Sequence, residues 1–185
     1  MAQRSSDRRA VRVSKLLARH LRHRPGELGL ELQPGGWVDV AELLEACRRS
    51  GFPIAPAELD AAVNAAVKRR YAYDATRTRV RAVQGHSVAV ELGYAPSCPP
   101  AILYHGTHAG AVEAIRRQGL RPMGRLQVHL SADEQTARTV GARRGRPVVL
   151  TVDAAAMADA GYRFWDADNG VWLVDEVPAR HLSIP

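Results

Sequence analysis

Arg22 and His23 stand together just ahead of Pro25-Gly26, where the pattern reads as the C-terminal end of a helix. Lys15, Arg19 and Arg22 recur at helical spacing and form a basic stripe on the same element. A helix macrodipole favours cations at this end, so a well-made terminus would account for Arg22-His23 by itself; a stripe asks for an anionic partner as well. Lys68-Arg69-Arg70-Tyr71 lies where a third helix meets a strand, and a functional arginine there would be aimed by that corner. A solvated charge run is the plainer account. Gln84-Gly85-His86-Ser87 is an unusually polar tetrapeptide, readable as a loop. His105-Gly106-Thr107 follows a strand, where backbone N–H groups and a small Gly let a ligand approach. Arg125, His129 and Ser131 alternate along a strand-like stretch, which predicts that all three point to one face.

These residue types suit phosphate chemistry. Arginine offers a planar fork that matches phosphate bidentately, and histidine exchanges protons near neutral pH. Only Lys15 and Lys68 are lysines among the 26 basic residues, a preference that coding bias would also produce. Zinc is the competing chemistry, because seven histidines are present, with His20 and His23 three apart on a helix. No HExxH or CxxC spacing supports it, and Cys47 and Cys98 alone build neither a four-thiolate site nor a disulfide framework. The expectation is no metal.

The elements that must hold these residues fall on two sides of a Pro-rich seam, Ala95-Pro96-Ser97-Cys98-Pro99-Pro100. Before it, Val13, Leu16, Leu17 and Leu21 predict a helix, and Gly35-Gly36 a turn into a short strand at Trp37–Val40. Val40, Leu43, Leu44 and Cys47 predict a second helix closed by Ser50-Gly51. Pro56 opens a third carrying Leu59, Val63, Ala66 and Val67, and two strands follow at Tyr71–Ala75 and Val80–Val83. Helices followed by a hairpin suggest a winged helix. After the seam, strands are expected at Ile102–His105, Val128–Leu130, Val148–Val152 and Val171–Val174, with helices around Val112–Ile115 and over Ala132–Val140. That mixture indicates an α+β fold. The division expected is 1–92 as a first lobe, 93–100 as linker and 101–185 as a second lobe.

Charge is distributed unevenly over this plan. The formal net charge is +7. Residues 1–92 hold 16 Lys/Arg against 10 Asp/Glu, a net of +6, and residues 93–185 hold 10 against 9, a net of +1. The excess puts a phosphate-binding face on the N-terminal half. No apolar run approaches the roughly 20 residues of a membrane span, the N-terminus lacks the apolar core of a secretory signal, and a reducing cytoplasmic setting is expected.

Taken in order, Leu21-Arg22-His23, Lys68-Arg69-Arg70-Tyr71, Gln84-Gly85-His86-Ser87, His105-Gly106-Thr107 and Met123-Gly124-Arg125-Leu126-Gln127-Val128-His129-Leu130-Ser131, with Gly141 to Val152 and Asn169-Gly170-Val171-Trp172-Leu173 after them, the chain resembles the KptA family of RNA 2′-phosphotransferases from Val13 onward. The resemblance implies a winged-helix lobe packed on a C-terminal lobe of ADP-ribosyltransferase-like fold. It implies a catalytic tetrad of Arg22, His23, Arg70 and Arg125, with Arg70 at the third position of a Lys-x-Arg-aromatic motif. NAD⁺ contacts are implied at His105, Gly106, Thr107, His129, Leu130 and Ser131, and RNA contacts at Lys15, Arg19 and Arg69. Val83 departs from the small polar residue expected before Gln-Gly-His. The implied reaction moves the RNA 2′-phosphate to NAD⁺, a co-substrate, through RNA carrying ADP-ribose on that phosphate. Its products are 2′-hydroxyl RNA, ADP-ribose 1″,2″-cyclic phosphate and nicotinamide, made by a monomer without metal, in tRNA processing or RNA repair. Asp175-Glu176 stands where it could mimic the glutamate of protein-modifying ADP-ribosyltransferases. Two other functions share these residues: an ADP-ribosyltransferase that stops after the first step, and a non-enzymatic winged-helix regulator that senses a nucleotide.

Overall fold

The computed structural model describes residues 2–65, 69–167 and 169–185, with the side chains of residues 2–6 left aside. Ala66, Val67 and Lys68, which the sequence assigns to a third helix and a basic motif, lie outside the described residues. The chain divides into two compact units, Met1–Gly93 and Tyr94–Pro185, each with its own apolar core.

In the first unit α1 runs Ala2–Arg22, burying Val13, Leu17 and Leu21 on one stripe. Pro25 opens a single 3-10 turn, Pro25–Leu28, which Gly29 closes at φ +70°. β1 (Trp37–Asp39) leads directly into α2 (Val40–Arg49), where the Asp39 carboxylate accepts from the N–H groups of Ala41 and Glu42. α3 (Pro56–Val63) starts with Pro at its first turn, and Glu58 reaches back to accept from the Ala55 N–H. β2 (Tyr71–Tyr73) and β3 (Arg79–Ala82) complete an antiparallel sheet of order β1-β3-β2. Leu43, Cys47, Leu59, Val38 and Val80 close the core against α1. Cys47 is fully buried, and that burial pushes its thiol pKa up; Cys98, in the second unit, is exposed.

The second unit is built on a six-stranded antiparallel sheet of order β7-β8-β5-β4-β6-β9. Its strands are β4 (Ile102–His108), β5 (Val128–Ser131), β6 (Pro147–Asp153), β7 (Phe164–Asp166), β8 (Val171–Val174) and β9 (Leu182–Ser183). Among the described residues three helices accompany them, α4 (Val112–Gln118), α5 (Glu134–Gly141) and α6 (Ala154–Asp159). Asp133 and Asp153 cap α5 and α6 through their carboxylates. Leu103, Leu130, Leu150, Val152 and Met157 form the centre of the core. Both sheets are antiparallel, and the chain is of α+β class.

Several boundaries differ from the sequence expectation. β4 continues through Gly106 to His108 rather than stopping at His105, because it pairs with β6 along seven residues. Arg125 is not on a strand: Met123 adopts φ +57°, the Arg125 N–H bonds the Pro122 carbonyl, and β5 begins only at Val128. Among the described residues no helix is long and apolar enough to cross a membrane.

Candidate active site

At the end of α1 the chain changes direction within one residue, since the N–H groups of both His23 and Arg24 bond the Arg19 carbonyl. That makes Arg22 the last residue of the helix and puts His23 in the turn immediately after it. Half-buried Arg22 extends to the start of β2, where its Nη2 donates to the Arg70 carbonyl at 3.2 Å. The same carbonyl accepts from the Val83 N–H at 3.0 Å, so β3's end, β2's start and α1 meet on one atom. The Arg22 guanidinium also lies 5.8 Å from the Tyr71 ring centroid. Exposed Arg70 donates through Nη1 to Ser14 Oγ at 2.9 Å, and the Tyr71 hydroxyl to the Ser14 carbonyl at 2.7 Å. Three residues predicted from two separate motifs, Arg22 and His23 from one and Arg70 from the other, are thus brought to one end of the first unit.

The tetrapeptide 84–87 closes this end. Gly85 sits at φ +90°, and a Cβ there would stand 3.4 Å from the Arg22 guanidinium, so the loop follows the arginine closely. Ser87 donates its N–H to the Arg22 carbonyl at 2.9 Å, and its Oγ lies 2.9 Å from His23 Nδ1. His86 is only 2% exposed, and its pKa is pushed down to about 4, first by burial and then by the charges of Arg22 and His23. Ser14 and Ser87 are the site residues that composition and periodicity missed as contacts; the helical spacing Ser14–Leu21 and the tetrapeptide's polarity were their available signals.

Of the expected RNA contacts, Lys15 and Arg69 are exposed. Arg19 is held by Glu27 through two hydrogen bonds of 2.7 and 2.9 Å. Arg24 joins the same carboxylate, whose pKa is pushed down to about 2 by these two arginines. The basic stripe is therefore broken at Arg19, because a carboxylate eight residues on folds back against it.

In the second unit the side chain of His105 is half-buried and donates from Nδ1 to the His129 carbonyl at 3.0 Å. Burial lowers its pKa, the His129 carbonyl opposes that, and Arg125 adds to it. His129 directs its own Nδ1 to the Gln127 carbonyl at 3.0 Å. Strand alternation places Leu103, His105 and Thr107 on one face of β4 and Tyr104 and Gly106 on the other. Ser131 pairs with Tyr104, so Ser131 and His129 lie on the face opposite His105 and Thr107. Leu130 is 1% exposed and belongs to the core, which removes its side chain from the expected ligand contacts.

Gly106 serves a different purpose from the one its sequence context suggests. A Cβ there would meet the Ala137 carbonyl at 1.7 Å and the Gly141 nitrogen at 2.9 Å. The reciprocal Cβ on Gly141 would meet the Thr107 carbonyl at 2.4 Å. The space vacated by both side chains is filled by α5 lying on β4, not held open for a ligand. Arg125 keeps contact with solvent, yet its pKa is lowered, first by partial desolvation and then by the like charges of Arg144 and Arg143. Asp175 and Glu176, the residues that could mimic a catalytic glutamate, are engaged on the loop that carries Arg125: Arg121 donates to Glu176, and Gln127 to Asp175 at 3.3 Å. A cavity of about 590 Å³ lies on this unit among Val112, Glu134, Arg138, Arg146 and Pro147, and none of the predicted site residues lines it. Among the described residues no group of three or more His, Cys, Asp or Glu side chains gathers as metal ligands would.

The family model described as RNA 2′-phosphotransferase, Tpt1/KptA family, matches residues 8–176. The chain is 52% identical to a protein of Nostoc punctiforme named "Probable RNA 2'-phosphotransferase", over 96% of this chain and 98% of that one. It is 56% identical to a protein of Streptomyces griseus with the same name, again over 96% and 98% of the two chains. A relative from Agrobacterium fabrum, also so named, is 51% identical over 93% of this chain and 92% of its own. Matched from one unit through the other, and equal in span to these relatives, the chain belongs to the RNA 2′-phosphotransferase family.

Proposed function

We propose that the protein transfers the 2′-phosphate of RNA to NAD⁺, leaving a 2′-hydroxyl on the RNA and releasing nicotinamide and ADP-ribose 1″,2″-cyclic phosphate. The observation that carries this reading is the meeting of Arg22, His23 and Arg70 at the end of α1, two guanidiniums and one imidazole anchored by the Arg70 carbonyl and the hydroxyls of Ser87 and Ser14. A phosphate is the group such a set is shaped to hold. We read the first unit, three helices and a small antiparallel sheet, as a winged-helix RNA lobe, and the second as an ADP-ribosyltransferase-like lobe.

The second unit's residues fit NAD⁺ as co-substrate. The arginine crowding at Arg125 calls for an anion, and the diphosphate of NAD⁺ or the transferring phosphate would relieve it. His105, with Nδ1 committed to a carbonyl, retains Nε2 for a hydroxyl of the ligand. Thr107 and Ser131 add hydroxyls, each 8% exposed, on the two faces of the sheet. Gly106 takes part through its backbone.

In the first step a 2′-phosphate oxygen attacks C1″ of the nicotinamide ribose, and nicotinamide departs with the bonding pair. The nucleophile is already an anion, so the arginines position it and no general base is required. In the second step the ribose 2″-hydroxyl loses its proton and attacks phosphorus, and the RNA 2′-oxygen leaves and takes a proton. His23 handles these protons, while Arg22, Arg70 and Arg125 carry the charge that grows on phosphorus. With arginines in that role no divalent cation is needed, and activity is expected to survive EDTA. The setting we assign is cytoplasmic RNA processing or repair.

The deciding experiment incubates the protein with a 2′-phosphorylated oligoribonucleotide, with and without NAD⁺, and weighs the products. NAD⁺-dependent loss of the 2′-phosphate with appearance of the cyclic phosphate supports the reading. Arrest at ADP-ribosylated RNA would make the protein a capping ADP-ribosyltransferase, and duplex binding without nicotinamide release would make it a regulator.

A further inference from the structure

The loop 84–87 touches the two neighbouring residues at the end of α1 in three ways. Its glycine leaves room for the Arg22 guanidinium, its serine N–H bonds the Arg22 carbonyl, and its serine hydroxyl meets His23 Nδ1. Ser87 therefore addresses the main chain and the side chain of adjacent residues from one position. An imidazole at a helix end can rotate about χ1 and χ2 and can carry its proton on either nitrogen. A partner on Nδ1 orients the ring and, by occupying that nitrogen, turns Nε2 toward the reacting group.

We propose that Ser87 is a positioning residue that holds the His23 imidazole through Nδ1 and so presents Nε2 to the reacting phosphate. The proposal rests on the reading of His23 as the proton handler. In the neutral ring Nδ1–H donates to Ser87 Oγ, and the Nε2 lone pair takes a proton. In the imidazolium Nδ1–H keeps the same partner while Nε2–H gives its proton up. A hydroxyl serves both forms without a change of geometry, and it adds no charge beside the phosphate, which a carboxylate in this place would repel. The neighbouring contact from the Ser87 N–H to the Arg22 carbonyl supplies the rigidity, since the hydroxyl can be no better fixed than its own backbone.

The test combines turnover with a direct measurement of the ring. Ser87 is exposed and its backbone bond survives replacement, so Ser87→Ala retains the fold. In the wild type, ¹⁵N spectra of histidine-labelled protein, with His23 assigned by its loss in His23→Ala, should show the Nδ1–H tautomer in excess. Ser87→Ala should shift it toward the Nε2–H form. For the phosphate-releasing step kcat should fall about tenfold or more, within the range for loss of a group that orients a catalytic histidine, while KM for RNA moves less than about threefold. Ser87→Thr, which keeps the hydroxyl, should restore both readouts. An unchanged tautomer and kcat in Ser87→Ala, or a Ser87→Thr protein as slow as Ser87→Ala, would overturn the proposal. Wild-type protein that releases no phosphate would remove the functional reading instead, and the tautomer measurement would then decide the Ser87 contact by itself.

Discussion

Arg22 acts as strut and charge at once, because its Nη2 holds the Arg70 carbonyl while the guanidinium remains half-buried at the site. Arg22→Ala should therefore slow both chemical steps and loosen Arg70 as well. His23 and Arg70 reach the site with fewer structural duties. Their alanine variants, and Arg125→Ala, should release nicotinamide but accumulate RNA carrying ADP-ribose on its 2′-phosphate. The expected loss in the second step is about 10²–10³ for an arginine and about 10²–10⁴ for the histidine; single-turnover product analysis separates the steps, and equal loss of both would refute this division. Gly106 illustrates where residue type alone misleads. A tripeptide His-Gly-Thr after a strand suggests a ligand's approach, yet the space is taken by α5, at Ala137 and Gly141, which lies far along the sequence from Gly106. Gly106→Ala should cost stability by about 1–3 kcal/mol through overpacking, read by urea denaturation, before any effect on NAD⁺ binding can be measured.

The loop between α4 and β5 shows the same interplay at the level of elements. Leu120 bridges Val177, Arg121 donates to Glu176 and Gln127 to Asp175, so the segment carrying Arg125 is tied at both ends to the chain just after β8. Asp175 and Glu176 are thereby given a structural duty that their position in sequence did not disclose. The Arg121 and Glu176 side chains are 57% and 36% exposed, and such a pair contributes at most about 1 kcal/mol. Joint replacement Asp175→Asn and Glu176→Gln should barely move the unfolding midpoint. It should raise hydrogen exchange across residues 121–127 and slow the second step, in which we propose that Arg125 acts, several-fold; unchanged exchange there would show that the ties are idle. α2 was legible to within a residue or two at both ends and α1 at its C-terminal end, whereas α1 begins at Ala2, eleven residues before the first apolar position of its stripe, Val13. α6 was not legible, because Ala154-Ala155-Ala156 has no polar face to set a period, and β7 and β9 are too short for alternation to register. The strand expected through Arg125 failed on one backbone angle, the positive φ of Met123, which no residue type announced.

Over the whole chain, the 16 Lys/Arg of residues 1–92 overstate how many cations an RNA can meet. Arg9, Arg19, Arg24, Arg48, Arg77 and Arg79 are each paired with a carboxylate of the same unit. Lys15, Arg22, Arg69 and Arg70 are the cations we expect to face phosphate. About four contacts to a single strand give a slope near −3 for log K against log salt, and a slope twice as steep would mean that the paired arginines also open toward RNA. Stability should carry the mark of His86. Its folded pKa of about 4 lies below the ordinary 6.5, so the fold prefers the neutral ring. The contribution is complete above pH 6.5 and is lost as pH falls toward 4, a change of up to about 3 kcal/mol. Urea midpoints at pH 7.5 and 5 should show the decline, and His86→Phe should flatten it. The two cysteines lend the molecule one more property. Cys47 is sealed in a core and its thiol is held in the unreactive form, whereas Cys98 faces solvent. A maleimide dye should accordingly mark the unmodified protein once, at Cys98, which gives fluorescence studies of RNA and nucleotide encounter a reporter that needs no mutation.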